Sequence, residues 1–229
     1  MDRSGNPRVF VEDASRALRD PLTICVGYLE RLREDDPDER HKTVALVVQE
    51  LGRMARLVDD LEVLSQAEQP DFLQRETIDL AAFTGELSED ARALGPRHWA
   101  VDRAGEGSIV ADRERLTVAM MNLADNAVQH TVVDETIALG SSQIGDEVRL
   151  WVRDAGRGVS PSDEPHIFER FARGEGAHRR YRGGGLGLAV VKVVAEAHGG
   201  YVAMESRLEE GATFTIVIPR SPSDDVSGG

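Results

Sequence analysis

Cysteine, long apolar runs and basic residues are all scarce in this sequence of 229 residues. Cys25 is the single cysteine, which excludes an intrachain disulfide and a cysteine-based metal site and fits a reducing compartment. No stretch reaches the roughly 18 apolar residues that a membrane span needs, and no apolar leader follows Met1. We therefore expect no membrane contact from this chain and a cytoplasmic location, alone or as the cytoplasmic part of a longer receptor.

The shortage of basic residues leaves the chain strongly acidic. Lysine and arginine together number 27 against 41 acidic residues, which gives a formal net charge of -14. Such a surface repels phosphate backbones, so we expect no nucleic-acid partner. Any nucleotide site in this chain must then rely on local cations, backbone N–H groups or a metal ion.

Two apolar seams with alternating spacings of four and three occupy the first third of the chain. Their members are Val11, Ser15, Leu18, Leu22, Cys25, Leu29 and Leu32, and then Val44, Val47, Leu51, Met54, Val58, Leu61 and Ser65. That spacing predicts two helices with coiled-coil packing. The charged segment 33–40, which contains Pro37, predicts the turn between them.

A two-helix hairpin cannot enclose a core by itself, so its seams need a partner. Two such hairpins can form a four-helix bundle, which predicts a homodimer held by residues 8–68. The alternative is that the hairpin packs on the rest of its own chain.

Beyond a break near residues 68–71, the pattern changes to mixed helix and strand. Helices are predicted over 79–94, 112–130 and 186–198, with Asp79 and Asp112 as N-caps of the first two. Strands are predicted over 136–140, 147–153, 201–205 and 213–218. The fold class is therefore α+β: a dimeric helical hairpin, then an α/β sandwich over 69–220 with a mixed sheet and helices on one face, and a disordered tail over 221–229.

Three short motifs in the second domain carry polar chemistry. Asn122 and Asn126 are four apart on one helix face, and their amide oxygens suit Mg²⁺. Asp154 precedes the glycine turn 155–158 and can accept a hydrogen bond from an amine such as that of adenine. The glycine run 183–188 opens an apolar helix, whose first N–H groups can face phosphate. Each motif alone also fits a structural role on a surface, in a turn or in a linker.

In this order and at these spacings, the motifs resemble the GHKL-type (Bergerat) ATP-binding domain of bacterial sensor histidine kinases. The segments similar to the family's N box, first glycine box, F box, second glycine box and closing glycine motif are, in that order, 122–131, 154–158, 167–173, 183–188 and 211–214. The resemblance extends over residues 8–219. It implies ATP and Mg²⁺ as ligands.

The resemblance also implies a role for each matching residue. Asp154 would bind the adenine amine, Asn126 with help from Asn122 would hold Mg²⁺, and residues 174–185 would form a lid over the nucleotide. The nucleotide contacts that it implies are Asn122, Asn126, Gln129, His130, Asp154, Gly156, Gly158, Arg173, Gly183, Gly185, Leu186, Gly187 and Thr213. The family usually has lysine where Gln129 stands and commonly a phenol where His130 stands, which implies a differently tuned affinity for ATP.

The first helix resembles the family's acceptor box, with changes at its three reactive positions. Arg16 stands where the phosphate-accepting histidine belongs, Ala17 where an acid assists it, and Asp20 where a threonine orients water. A guanidinium is always protonated and lacks the lone pair of a neutral imidazole. We therefore expect no autophosphorylation at the usual site, because no catalytic residue of the box is intact.

Three functions remain open on the sequence. The first is a degenerate histidine kinase that regulates a partner, such as a response regulator, through its nucleotide-bound dimer. The second is an active kinase whose acceptor lies on another protein or at an unusual residue such as His41. The third is a dimerisation scaffold without nucleotide. The nucleotide motifs argue against the third, and the altered acceptor box favours the first over the second.

Overall fold

A long helical hairpin forms the first part of the fold. The structure, a computed structural model, describes residues 7–32, 37–67, 69–171 and 185–221. Helix α1 (Pro7–Glu30) and helix α2 (Pro37–Gln66) run antiparallel, with the thiol of Cys25 4.0 Å from the backbone oxygen of Val47. Helix α2 begins inside the predicted turn, of which residues 33–36 lie outside the described residues, as do residues 222–229 of the predicted tail. Leu32, predicted as a seam residue, follows the end of α1.

The two helices meet through one face each and leave a second apolar face uncovered. Residues buried in the hairpin include Ala17 and Cys25 on α1 and, at a spacing of seven on α2, Thr43, Glu50, Leu57 and Leu64. A further set of apolar side chains is 46% to 62% exposed: Val11, Leu22, Val26, Leu29, Val44, Val48, Leu51 and Val58. We refer to this set as the uncovered strip. The predicted seams therefore divide between a face used within the chain and a face that remains open.

The second domain is a two-layer sandwich. Its elements are β1 (Glu76–Asp79), α3 (Leu80–Ala91), β2 (His98–Arg103), β3 (Ser108–Ala111), α4 (Arg113–His130), β4 (Thr136–Ile144), β5 (Glu147–Asp154), α5 (Gly187–Ala197), β6 (Tyr201–Arg207) and β7 (Gly211–Pro219). Five strands form a sheet in the order β2-β4-β5-β7-β6, in which β2 and β4 are parallel and the other neighbours antiparallel. Strands β1 and β3 pair in a separate small sheet. The predicted mixed sheet and α+β class are confirmed, whereas β1, β2 and β3 were not predicted.

Helices α3, α4 and α5 cover one face of the five-stranded sheet. On β5, Val148, Leu150 and Val152 alternate toward this helical layer and are buried. The predicted N-caps are confirmed, since the carboxylate of Asp79 accepts from the N–H of Ala82 at 2.8 Å, and that of Asp112 from Arg115 at 2.9 Å. The last inward residue of β5 is Asp154, so the same alternation that builds the core ends on a carboxylate.

The hairpin and the sandwich share one apolar cluster. Leu57, Val63 and Leu64 of α2 belong to the same buried cluster as Leu186 and Val190 at the start of α5. The segment that leaves α2 also packs on the sandwich, because the ring of Phe72 lies 4.7 Å below the guanidinium of Arg115. The second half of α2 is therefore docked against the face of the sandwich that carries α4 and α5.

Candidate functional site

Asp154 is a buried carboxylate at the end of a central strand. It is 5% exposed, and its Oδ1 accepts a hydrogen bond of 2.9 Å from the N–H of Gly156. Burial raises the pKa of Asp154, while hydrogen bonds from the N–H groups of Gly156 and Ala212 act in the opposite direction. A buried carboxylate held by backbone donors suits recognition of an amine N–H.

The turn after Asp154 needs its glycines for close packing. A Cβ on Gly156 would lie 2.3 Å from the backbone oxygen of His130, and one on Gly158, where φ is +71°, would lie 2.2 Å from that of Arg207. Neither position can accept a larger residue without moving backbone. The turn thereby fixes Asp154 beside the end of α4.

One face of α4 is turned toward the end of the site at which Asp154 lies. Asn122, Asn126, Gln129 and His130 are all half-buried there. The amide of Gln129 donates to Asp125 at 2.6 Å. Within the described part of the chain, no group makes a hydrogen bond to the side chain of Asn126. Burial, with the nearby charge of Arg157, lowers the pKa of His130 to about 4, so its ring is neutral at pH 7.

The start of α5 closes the site on the other side of Asn122. Leu186 is buried, Gly185 has a φ of +69°, and a Cβ on Gly187 would lie 2.6 Å from Oδ1 of Asn122. The N–H of Phe171 donates to the backbone oxygen of Gly185 at 2.7 Å, which joins the two ends of segment 172–184. That segment holds Arg173, Gly183 and nearly all of the predicted lid, and it lies outside the described residues.

Thr213 is separated from the other predicted nucleotide contacts. It pairs with Arg153 in the register of β5 and β7, whereas Val152 pairs with the buried Phe214. Because side chains alternate along a strand, Thr213 faces the outer surface of the sheet and Ala212 faces the helical layer with Asp154. The structure thus brings Asn122, Asn126, Asp154 and the start of α5 together but leaves the Thr213 side chain on the opposite face.

An acidic residue from the hairpin also reaches this site, although no motif in the sequence indicates it. Nδ2 of Asn122 donates to Oδ1 of Asp60 on α2 at 2.8 Å, and Arg56 lies 3.7 Å from Asp125. Asp60 is 8% exposed, and burial raises its pKa to about 6. Only the docking of α2 against α4 brings these residues together, so neither motif nor spacing could have indicated the contact.

The altered acceptor positions lie at the level where the sandwich docks on the hairpin. The contact between Cys25 and Val47 sets an antiparallel register in which Ala17 is level with Ala55, two residues from Leu57, and both Ala17 and Leu57 are buried. Arg16 and Asp20 are exposed. His41, the unusual acceptor considered above, is the fifth residue of α2, about 24 Å along the helix from Leu57 at 1.5 Å per residue.

These residues fit a nucleotide with an oxygen-bound metal. Among the described residues no group of three His, Cys, Asp or Glu side chains is arranged to hold a metal ion. The amide oxygens of Asn122 and Asn126 could serve as protein ligands in a Mg²⁺ site of the kind that takes its other oxygens from phosphate and water. Asp154 lies at the opposite end of this face, where a base would be recognised.

A buried histidine links the start of α4 to the end of α5, at the far end of both helices from the site. Nε2 of His198 accepts from the N–H of Asp112 at 3.0 Å, and Nδ1 lies 2.8 Å from the oxygen of Val194. His198 is therefore neutral, with its proton on Nδ1. Burial lowers the pKa of His198, with a smaller contribution from Arg75, and Asp112 acts in the opposite direction.

We expect acid to destabilise the fold through His198. Because its pKa is lower in the folded than in the unfolded state, its contribution to stability is complete above about pH 6.5 and declines as the pH falls. Protonation of Nε2 leaves the N–H of Asp112 unpaired, at a cost of about 1–3 kcal/mol. Denaturant unfolding at pH 7.5, 6 and 5 measures this, and His198→Gln, which keeps an acceptor but cannot titrate, should flatten the profile. His166→Gln, at an exposed histidine, is the control; a profile unchanged by His198→Gln would refute this role.

Comparison with known families divides the chain as its structure does. Residues 8–70 match the His Kinase A (phospho-acceptor) domain, which is the dimerisation module of its family. Residues 111–222 match the histidine kinase-, DNA gyrase B- and HSP90-like ATPase domain, which implies ATP binding. The first match covers α1 and α2, and the second runs from the end of β3 to the end of β7.

Individual proteins give the same result. A probable sensor histidine kinase of Mycobacterium tuberculosis, TcrY, is 36% identical over 93% of this chain and 46% of its own length. The structure of full-length ShkA in complex with AMPPNP is 27% identical, with a TM-score of 0.62 over 93% of this chain and 46% of that chain. The histidine kinase ThkA, solved in complex with the response regulator TrrA, shares the fold at a TM-score of 0.70 and 23% identity, over 94% of this chain and 62% of that chain.

The matches also show how much of its relatives' length this chain spans. It spans 28% to 55% of the length of the first curated relatives that it matches. Across the part of the chain that the structure describes, no helix is both long and apolar enough to cross a lipid bilayer.

Proposed function

Because this chain belongs to the histidine kinases of two-component signalling and carries their catalytic core, we propose that it is an ATP-binding regulator that has lost the acceptor chemistry. In this proposal it is a degenerate histidine kinase, and its nucleotide-bound dimer acts on a partner protein. The proposal concerns the catalytic core only, since the relatives are longer than this chain.

The observation that carries the proposal is the contrast between two neighbouring sites. On the sandwich, Asp154 is buried and held by its glycine turn, and Asn126 presents an amide face. On the hairpin, the exposed residue at the position of the acceptor is Arg16, whose guanidinium has no lone pair for attack on phosphorus. Ala17 beside it cannot accept a proton. The chain is therefore suited to bind nucleotide without passing phosphate to its own helix.

We assign the parts of the nucleotide by chemistry. Asp154 would accept the adenine amine, and the phosphates would lie toward Gly187 at the start of α5, where helix N–H groups favour anions. The amide oxygens of Asn126 and Asn122 would hold Mg²⁺, which neutralises phosphate charge when it is bound. The neutral ring of His130 would pack beside the site as an aromatic surface.

A response regulator is the partner class that we infer. ThkA was solved in complex with its response regulator, and it shares the hairpin-and-sandwich fold of this chain. Asp20 places a negative charge where the family has the residue that orients water. A carboxylate there opposes approach to a phospho-aspartate, so we expect this chain to bind a receiver domain without dephosphorylating it.

The test is incubation with γ-labelled ATP, alone and with candidate receiver proteins, followed by acid treatment of any labelled protein. The expected result is bound nucleotide with no acid-labile label on this chain. Acid-labile label on this chain would favour an active kinase with an unusual acceptor, and absence of nucleotide binding would favour a scaffold.

We also propose that the uncovered strip is the contact between two copies of this chain. Eight apolar side chains exposed along two antiparallel helices fit the half-bundle that a second hairpin completes. Leu51→Glu is expected to dissociate the dimer, because it places a charge in the contact between the two copies. Leu18→Glu is expected to unfold the chain, because Leu18 packs against the core within the chain. Light scattering should give about twice 25.1 kDa for the unchanged chain.

Gln49→Glu is the matched control for the dimer. It adds the same charge two residues from Leu51 on an exposed position outside the strip. The mass should stay unchanged in this variant. A monomeric mass for the unchanged chain at micromolar concentration would contradict the dimer.

A further inference from the structure

Asn122 is connected to the hairpin by its amide nitrogen. Its Nδ2 donates to Oδ1 of Asp60 at 2.8 Å and to the backbone oxygen of Val118 at 3.2 Å. An amide NH₂ group has two hydrogens, so both are used. Asp60 lies on α2, 62 positions earlier in the chain, so its hydrogen bond to Asn122 crosses between the domains.

The amide oxygen of Asn122 points the other way. A Cβ on Gly187 would lie 2.6 Å from that Oδ1, so the oxygen faces the start of α5. Within the described residues, no donor bonds to it. Because a carboxylate can only accept, Asp60 must face the nitrogen end of the amide, and it thereby determines which end faces α5.

We propose that Asp60 is a positioning residue that holds the Asn122 amide with its oxygen toward the nucleotide site, so that docking of α2 controls metal-nucleotide binding. This rests on the proposed function, because it assigns the regulation of the same site. Without Asp60, only the 3.2 Å bond to the backbone oxygen of Val118 holds the nitrogen end. The amide can then rotate by half a turn more readily and present N–H groups, which repel a cation. Movement of α2 away from α4 has the same consequence as removing the carboxylate.

The coupling is reciprocal by thermodynamic necessity. If docking of α2 strengthens binding of the metal-nucleotide, then the metal-nucleotide strengthens docking of α2 by the same factor. Arg56 and Asp125, 3.7 Å apart, and Gln66 and Arg115, 2.6 Å apart, bridge the same junction and would tighten with it. Bound metal-nucleotide thereby changes the position of α2, the second hairpin helix, which carries part of the uncovered strip.

The experiment compares four variants of the full chain: Asp60→Ala, Asn122→Ala, both together, and Asp59→Ala. Asp59 is the exposed neighbour of Asp60 and serves as the matched control, since its removal takes away the same charge without touching Asn122. Calorimetry gives the affinity for AMPPNP with Mg²⁺ and, separately, with EDTA. Thermal unfolding checks that each variant is folded.

The expected result is specific to the metal. Asp60→Ala should weaken AMPPNP binding about tenfold with Mg²⁺, the size of one hydrogen bond to a charged group, and leave binding in EDTA unchanged. Asp59→Ala should change neither. The double variant should match Asn122→Ala alone, since Asp60 acts through that amide.

Two readouts do not depend on nucleotide turnover. The side-chain NH₂ resonances of Asn122 should shift in Asp60→Ala without ligand. Hydrogen exchange in residues 56–64 of α2 should slow with Mg²⁺-AMPPNP but not with AMPPNP in EDTA. Three results would each overturn the proposal. The first is an equal loss of AMPPNP affinity in Asp60→Ala with and without Mg²⁺, and the second is affinity losses that add up in the double variant. The third is a rate of hydrogen exchange in α2 that does not depend on Mg²⁺.

The two proposals fail separately. If the unchanged chain binds Mg²⁺-AMPPNP and Asp154→Asn weakens it, the nucleotide function stands even when Asp60→Ala has no effect, and only the positioning role falls. If the unchanged chain binds no nucleotide with or without Mg²⁺, both proposals fall together.

Discussion

Asp154→Asn is expected to weaken Mg²⁺-ATP binding by at least tenfold, about 1.4 kcal/mol at 25 °C. The carboxylate of Asp154 is buried, and one of its oxygens is held by the N–H of Gly156 at 2.9 Å. An amide at this position exchanges an acceptor for a donor, which cannot pair with the adenine amine. In a buried site the unpaired groups are costly. Calorimetry on the purified chain measures the loss.

Asp146→Asn is the control for this experiment. It makes the same chemical change at an exposed position before β5, about 27 Å from Asp154 at 3.4 Å per residue. Its affinity for ATP should equal that of the unchanged chain. Equal affinity in Asp154→Asn would refute the assigned role of the carboxylate, and an unchanged chain that binds nothing at millimolar ATP would refute the site.

Autophosphorylation is expected to be absent in the unchanged chain and to recover little in Arg16→His. The imidazole restores a nucleophile, but Ala17 beside it can neither orient the ring nor take its proton. General-base assistance is commonly worth about 10²–10⁴ in rate, so Arg16→His with Ala17→Glu should label faster than the single variant. Ala17 is 8% exposed, so the added carboxylate must be accommodated at a buried position, and we expect a lower melting temperature as well.

The measurement is a time course of acid-labile, base-stable label on the unchanged chain and both variants. His41→Gln in the same background is the control for the remaining histidine of the hairpin, and it should change nothing. Strong histidine labelling of the unchanged chain would overturn the degenerate-kinase proposal. An unlabelled double variant would mean that the ATP-binding domain, through Gln129 or otherwise, has also lost its transfer chemistry.

Local signals in the sequence were enough for the longer elements of the sandwich. Asp79 and Asp112 marked the starts of α3 and α4 because a carboxylate before an apolar-periodic run caps the helix, and both caps form. The alternation on β5 likewise marked its inward face. These signals lie within a few residues of the structure that they specify, so no knowledge of distant contacts is needed.

The strands that went unpredicted lack such a local signal. Strand β2 is exposed at five of its six positions, and β1 and β3 have four residues each. Strand β2 is set by parallel pairing with β4, more than 30 positions later, and β1 by pairing with β3. Propensity is weak in short exposed strands, so the partner decides.

The same dependence on distant contacts explains why one residue of the site could not be predicted from the sequence. Asp60 belongs to no motif in the sequence, and only docking of the domains makes it a buried partner of Asn122. On α2 the sequence predicts a seam that includes Val44, Leu51 and Val58. Within the chain, the buried residues with heptad spacing are instead those one position before each of these. A heptad pattern fixes which residues are apolar but not which of two partners each face meets.

The position of β7 has a consequence for how this chain is made. It comes last in sequence among the described strands, yet it lies inside the sheet, between β5 and β6. Until it leaves the ribosome, both neighbours expose an open edge, and the turn that packs Asp154 against Gly211 cannot close. The hairpin, synthesised first, can find a second copy while the nucleotide site is still incomplete. In the proposed dimer, a chain that stops short of residue 211 keeps the hairpin but lacks the strand that closes the Asp154 turn, so we expect it to pair with intact chains without binding nucleotide itself.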